Sequence, residues 1–270
     1  MKKFVLISLL VGMLASCSNL FDYSPYTLDF SEDERDLNRK NAELLQSKQS
    51  TFLYSDTITV AFTGDTHRFY REWEEFVEKV NQIANVDFVI HVGDFTDFGL
   101  PRQYQWGSRI MNQLNVPYLV AVGNHDLVGI GQQAFLEMFG PLGFSVIVGR
   151  TKFIILNNNS REFAYSGEVP DIDWLENELS HNETFDNALL IFHVPLNDSD
   201  FDANMRDDFI RILNSSPSII AAVHGHIHNF EAYMLDDCSV PMINVWGVEH
   251  KALTVLKINK SGYEIENHSF

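Results

Sequence analysis

Cysteine is nearly missing from this chain. Its 270 residues hold two, Cys17 and Cys238, so neither a disulfide framework nor a Cys-rich zinc site can be built from them, and any metal site must use nitrogen and oxygen donors. Positive charge is also scarce. Lysine and arginine total 19 against 37 acidic residues, for a formal net charge of −18, which argues against the basic stripe of a nucleic-acid binder. No internal repeat or low-complexity tract is apparent. Apolar residues make up 45% and charged residues 21%, the proportions of a globular chain with ample material for a core.

The N-terminus has a character of its own. Met1-Lys2-Lys3 precedes an apolar run of 13 residues, Phe4–Ser16, too short for a comfortable membrane span and patterned like a secretory signal. It ends in Leu14-Ala15-Ser16-Cys17, which resembles the lipobox of bacterial lipoproteins. That resemblance implies export, cleavage after residue 16 and a lipid on Cys17 tethering the domain to a bacterial membrane, on its periplasmic face or at the cell surface. Cleavage would remove two positive charges and take the net charge from −18 to −20. A plainly secreted protein with a chance cysteine is the alternative. Residues 17–50 are polar and acidic and read as a tether able to pack on the domain, with helical patches near Asp36–Lys48. Residues 51–270 form the domain.

Strand and helix patterns alternate from Thr57. β-rich runs at Thr57–Phe62, Phe88–Val92 and Tyr118–Val122 are separated by helical periodicity over Arg68–Ile83 and Pro101–Leu114, a βαβαβ start that implies a largely parallel sheet covered by helices. Further strands are expected at Phe144–Val148, Thr151–Leu156, Ala188–Phe192 and Ile219–Val223, and helices at Gly131–Phe139, Ile172–Leu179 and Phe201–Leu213. The last forty residues read as strands.

Five polar clusters punctuate this pattern: Asp65-x-His67, Gly93-Asp94-x-x-Asp97, Gly123-Asn124-His125-Asp126, His193, and Gly225-His226-x-His228. Each follows an expected strand, where open α/β sheets gather their ligand sites. Singly they are weak, since an Asp after a strand is more often a cap and a lone His usually a satisfied core residue. Together they supply carboxylates, an amide and imidazoles, a donor set for two divalent cations, the arrangement that serves attack at phosphorus.

In this order the clusters resemble the calcineurin-like metallophosphoesterase superfamily, from about Thr57 to the end of the chain. The resemblance implies an α/β fold, a four-layer α-β-β-α sandwich of two mixed β-sheets flanked by helices. It implies two divalent ions, with Mn, Fe, Zn, Co and Ni all open: Asp65, His67 and His228 on one, Asn124, His193 and His226 on the other, and Asp94 bridging. Water activated by the ions would hydrolyse a phosphoester, with His125 as general acid and Asp97 orienting it. Two ions against two carboxylates leave a local charge of +2, which can hold a phosphate despite the acidic chain.

Departures narrow the class. Phe98 stands where the superfamily's Ser/Thr protein phosphatases have a phosphate-gripping arginine, and Asp97 where purple acid phosphatases have a tyrosine ligand. The pattern looks most like small-molecule phosphodiesterases and phosphomonoesterases, a group that includes bacterial cyclic-nucleotide and glycerophosphodiester enzymes. The substrate expected is a small-molecule phosphoester; nucleic acid is disfavoured by charge, and no protein partner is implied. A non-catalytic binding module and an extracellular nuclease are the alternative functions. His91 and His224 read as structural, Arg161 as either a phosphate contact or a solvated side chain, and Phe69, Tyr70, Phe95, Phe98 and Trp246 as core packing rather than a stacking platform.

Overall fold

A computed structural model describes residues 24–180 and 184–270; the signal and lipidation features at residues 1–17 lie outside them. Two mixed sheets form the centre. The first holds β1 (Ile58–Thr63), β2 (Phe88–His91), β3 (Tyr118–Val120), β10 (Ala252–Asn259) and β11 (Gly262–Ser269), in the order β11-β10-β1-β2-β3. The second holds β4 (Phe144–Val148), β5 (Thr151–Ile155), β6 (Asn187–Ile191), β7 (Ile219–His224), β8 (Glu231–Tyr233) and β9 (Met242–Asn244), in the order β4-β5-β6-β7-β9-β8.

Alternation along each strand explains the layering. Side chains on a strand point to opposite faces in turn, yet these central strands are apolar on both. On β1, Val60 and Phe62 enter the core between the sheets, whereas Ala61 joins a second core. On β5, Phe153 and Ile155 face inward and Ile154 faces a third core. A sheet that is apolar on both faces must be covered on both. The first sheet is covered by α3 (Tyr70–Gln82), α4 (Pro101–Met111) and α5 (Gly131–Met138), which bring Trp73, Phe76, Tyr104 and Phe135. The second is covered by α6 (Ile172–Leu179) and α7 (Arg206–Ser215), which bring Leu175, Phe209 and Leu213. The four layers expected from the resemblance are present.

One local reading changes, and the helix expected near Asp36–Lys48 is present. The helix expected from Phe201 begins at Arg206, because the Asp202 carboxylate accepts from the Asn204 amide at 3.0 Å and offers the backbone a turn in place of a helix. The acidic stretch before the domain is helical over α1 (Leu37–Ser47) and α2 (Gln49–Tyr54). Leu37, Leu45 and Phe52 are buried there. Asn38 bonds both the N–H (2.8 Å) and the C=O (2.9 Å) of Val120, and Asn41 accepts from the Tyr118 N–H at 3.2 Å. These amides satisfy the free edge of β3, which would otherwise invite pairing with another chain. No helix among the described residues is long and apolar enough to cross a membrane.

Candidate metal centre

β1, β2 and β3 run parallel in the first sheet, as do β6 and β7 in the second. Loops leaving their C-terminal ends carry all nine residues singled out above, and the structure gathers them into one cluster. His193 Nε2 lies 3.2 Å from Asp94 Oδ2 and 3.9 Å from Asp65 Oδ1. His67 Nε2 is 3.5 Å from Asp94 Oδ2, and His228 Nε2 is 3.5 Å from Asp65 Oδ1. His226 Nδ1 is 3.1 Å from Asn124 Oδ1. His125 packs edge-on to His67, with ring centres 4.6 Å apart.

The backbone at these positions is unusual. Asp65, His67, Asp94, His226 and His228 all have positive φ, between 42° and 76°, a region that residues with a Cβ seldom visit. Such strain persists only where the surroundings enforce it, and it collects at functional sites. Part of the enforcement is visible here. The N–H groups of Asp65, Thr66 and His67 donate to the carbonyls of Gly93 and Asp94 at 3.0–3.2 Å, so the first two loops lock together. A Cβ at Gly123 would stand 2.1 Å from the Asp94 backbone nitrogen, so glycine is required for that approach.

Residues outside the expected ligand set hold the rest. Asp126 is fully buried and accepts from the N–H groups of Gly123 (2.9 Å), Phe95 (3.1 Å) and Thr96 (2.8 Å). It ties the loops after β2 and β3 together, and burial raises its carboxyl to about 6. Asn158 Oδ1 accepts from the N–H of His193 (3.2 Å) and Val194 (3.0 Å). Glu249 bonds His228 Nδ1, which leaves Nε2 toward Asp65. Asp198 and Asp200 stand 3.8 and 3.9 Å from His226 Nε2. Sequence reading missed these roles, since Glu249 and Asn158 lie far along the chain from the histidines they support.

Asp97 differs in detail from its expected part. Its backbone carbonyl, not its carboxylate, accepts from His125 Nδ1 at 2.9 Å. The carboxylate stands 3.7 Å from His125 Nδ1 and 3.6 Å from His67 Nδ1. Arg161 is paired with Asp200 at 2.7 Å and Glu162 at 3.0 Å. Phe95 is core, as expected, but Phe98 is 53% exposed. His91 accepts from the Gly93 N–H through Nδ1 and donates through Nε2 to Thr66 Oγ1, and burial pushes it down to about 3. It holds a loop in place. Burial likewise lowers His224 to about 4.

The electrostatics and the geometry both call for cations. Burial raises Asp65 to about 6 and lowers His67 to about 4. Burial also opposes charge on Asp94, but His193, His67 and His125 outweigh it and hold that carboxyl well below the usual range. His193 is fully buried, yet Asp94 and Asp65 raise it to about 9. The two buried carboxylates thus demand a positive charge at the His193 nitrogen. His193 Nδ1 donates to the Val92 carbonyl at 3.0 Å, while the buried Nε2 has no hydrogen-bond partner. An imidazole fixed by one nitrogen and orphaned at the other is the arrangement of a metal ligand. Cations with bonds of about 2.0–2.2 Å need donors roughly 3–3.5 Å apart, and most of the separations above fall there. The residues form groups that could hold metal ions.

Two packed mixed sheets with the ligands at one rim define a metallo-dependent phosphatase fold. A solved dimetal phosphatase from Danio rerio superposes with a TM-score of 0.61 at 11% identity, over 80% of this chain and 100% of that one. The family model described as calcineurin-like phosphoesterase matches residues 58–230, and the chain belongs to that family. Among curated proteins it is similar to a glycerophosphodiester phosphodiesterase of Enterobacter lignolyticus, 26% identical over 53% of this chain and 56% of that protein. It is also similar to a 3′,5′-cyclic-nucleotide phosphodiesterase of Nostoc, 23% identical over 53% of this chain and 56% of that one. The chain thus spans about half the length of the curated relatives it matches.

Proposed function

We propose that the protein is a dinuclear metal-dependent hydrolase of small-molecule phosphoesters. The observation that carries this reading is the fully buried His193, with Nδ1 fixed and Nε2 unpartnered beside Asp94 and Asp65. Asp65, His67 and His228 would hold one ion, Asn124, His193 and His226 the other, and Asp94 both. Two divalent ions would acidify a bound water toward neutral pH and neutralise phosphoryl oxygens.

The chain's own residues supply the rest. His125 is 41% exposed at its side chain, so it can reach a substrate. A carbonyl can only accept, so His125 Nδ1 carries a proton toward Asp97, and as a general acid the ring would carry a second proton on Nε2 and pass it to the leaving oxygen, becoming neutral. The Asp97 carboxylate stands 3.7 Å from the same Nδ1. The phosphodiesterase names of the two curated relatives support diesters among the substrates. The signal-like residues 1–16 and Cys17 support an exported, lipid-tethered protein; a Cys17→Ser variant should lose fatty-acid label and membrane association.

Turnover of a nitrophenyl phosphodiester and monoester by the 270-residue chain with Mn²⁺ tests the reaction. His125→Ala should lower kcat by about 10²–10⁴-fold while two ions remain bound, and Asn124→Ala should lower both activity and metal content. Two bound ions with no turnover of either ester would favour a binding module that keeps the site without the chemistry.

A further inference from the structure

A cavity of about 290 Å³ opens beside the centre, lined by Pro195, Asn197, Asp198, His224, Ile227, Glu231, Tyr233 and Asn244. Its wall is one face of three adjacent strands. His224 on β7 registers with Asn244 on β9, and Asn244 with Glu231 on β8. Tyr233 lies two residues along β8 and so shares the face of Glu231.

Hydrogen-bond polarity follows from the contacts. Asn244 is 1% exposed, and its Nδ2 donates to the Asn229 carbonyl, which fixes the amide with Oδ1 buried behind the wall on the His224 side. His224 Nδ1 must donate to the Gly225 carbonyl at 3.1 Å. The neutral ring's Nε2 is then an acceptor, so the Tyr233 hydroxyl, 2.9 Å away, spends its proton there. The polar lining open to a ligand is therefore the Tyr233 oxygen and the carboxylates of Asp198 and Glu231, all acceptors. Only the exposed Asn197 amide can offer a donor. Such a lining matches a cationic group with several N–H donors and repels a second phosphate.

The cavity meets the centre through Asp198, 3.8 Å from His226 Nε2, whereas His125 packs on His67. A substrate arm in the cavity and a leaving oxygen at His125 would touch different histidines. We propose that this cavity is a subsite for an ammonium-bearing arm of a phosphodiester, an inference that rests on the phosphoesterase reading and sharpens it.

The test compares 2-aminoethyl 4-nitrophenyl phosphate with its uncharged isostere, propyl 4-nitrophenyl phosphate, on the Mn²⁺-loaded chain. The aminoethyl diester should be favoured at least tenfold in kcat/KM, and Glu231→Gln and Tyr233→Phe should each reduce that ratio several-fold. Glu264→Gln, an exposed acid on β11, makes the same charge change elsewhere and should leave the ratio alone. Calorimetric titration with O-phosphoethanolamine and propyl phosphate provides a readout without turnover and should show the same preference. Equal kcat/KM for the two diesters, or a ratio as sensitive to Glu264→Gln as to Glu231→Gln, would overturn the subsite and leave the phosphoesterase reading standing. If neither diester is hydrolysed, that reading fails, and the titration alone decides the subsite: a preference removed by Glu231→Gln sustains it, and equal binding ends it.

Discussion

The two sheets meet at one rim but bring different chemistry to it. The first supplies Asp65, Asp94 and Asn124, all the oxygen donors of the expected ligand set, with one imidazole, His67. The second supplies three imidazoles, His193, His226 and His228, with the Asp198 and Asp200 carboxylates beside His226. Their supports differ in the same way. The first-sheet loops are built by backbone contacts: N–H groups on neighbouring carbonyls, and Asp126 collecting three amides. The second-sheet histidines are aimed by what the other ring nitrogen meets, Val92 carbonyl for His193 and Glu249 for His228. The carboxylates expected to hold ions therefore sit on the half fixed through its backbone, and imidazoles aimed through their second ring nitrogen on the other. Damage to the first half should spread to fold and both ions, whereas damage to the second should stay with one ion.

Asp94→Ala should have the largest effect, because that carboxylate touches donors from both sheets, His67 and His193. Elemental analysis should find fewer than one ion per chain, against two in the parent, and phosphoester turnover should vanish. Retention of two ions would show that the halves do not share a ligand. Asp126→Ala comes next. It leaves three buried N–H groups unpaired, and at about 1–3 kcal/mol for each unsatisfied buried group the chain should lose roughly 3 kcal/mol or more in denaturant unfolding. Unchanged stability would mean that the first-sheet loops hold themselves without it.

The positions that the fold gathers at its rim were legible in the sequence because short polar motifs interrupt β-rich runs, and strand ends are where such runs stop. The four layers were not legible from periodicity alone. Residues such as Ala61 and Ile154 look like any buried strand residue until the alternation is seen to feed separate cores. The supports were less visible still. Glu249 follows His228 by 21 residues and Asn158 precedes His193 by 35, and only packing brings them together. The role of α1 was hidden for a similar reason, since Asn38 and Asn41 act through amide pairing with a strand edge and not through an apolar stripe.

Glu249→Ala probes the second half. Loss of a carboxylate behind a metal-binding histidine typically costs about 10–100-fold in metal affinity. That loss should appear for one ion only in a titration, with unfolding in the absence of metal little changed. Equal weakening of both ions would break the distinction between the halves.

The smallest effect is expected where the second sheet is remote from the rim. Lys152 on β5 is nearly buried and contacts Glu178 of α6 twice, at the carbonyl (2.6 Å) and the carboxylate (2.8 Å), while Ser145 also donates to that carboxylate. Burial opposes charge on Glu178, but Lys152 and Ser145 outweigh it and lower its pKa. A carboxyl depressed in the folded state adds stability above its unfolded pKa and loses it as the pH falls through the folded value. Glu178 keeps 24% of its side-chain surface open to water, and Gln can still accept from Lys152 and Ser145, so Glu178→Gln should cost only about 1 kcal/mol near neutral pH. The cost should shrink below the ordinary carboxylate range, as the parent loses the same charge. Metal affinity should not move, because this contact lies on the face of the second sheet that packs against α6, away from His193 and His228. A shift in either ion's affinity would mean that the second sheet transmits strain to its rim, and that its histidines are aimed by the sheet as much as by their ring partners.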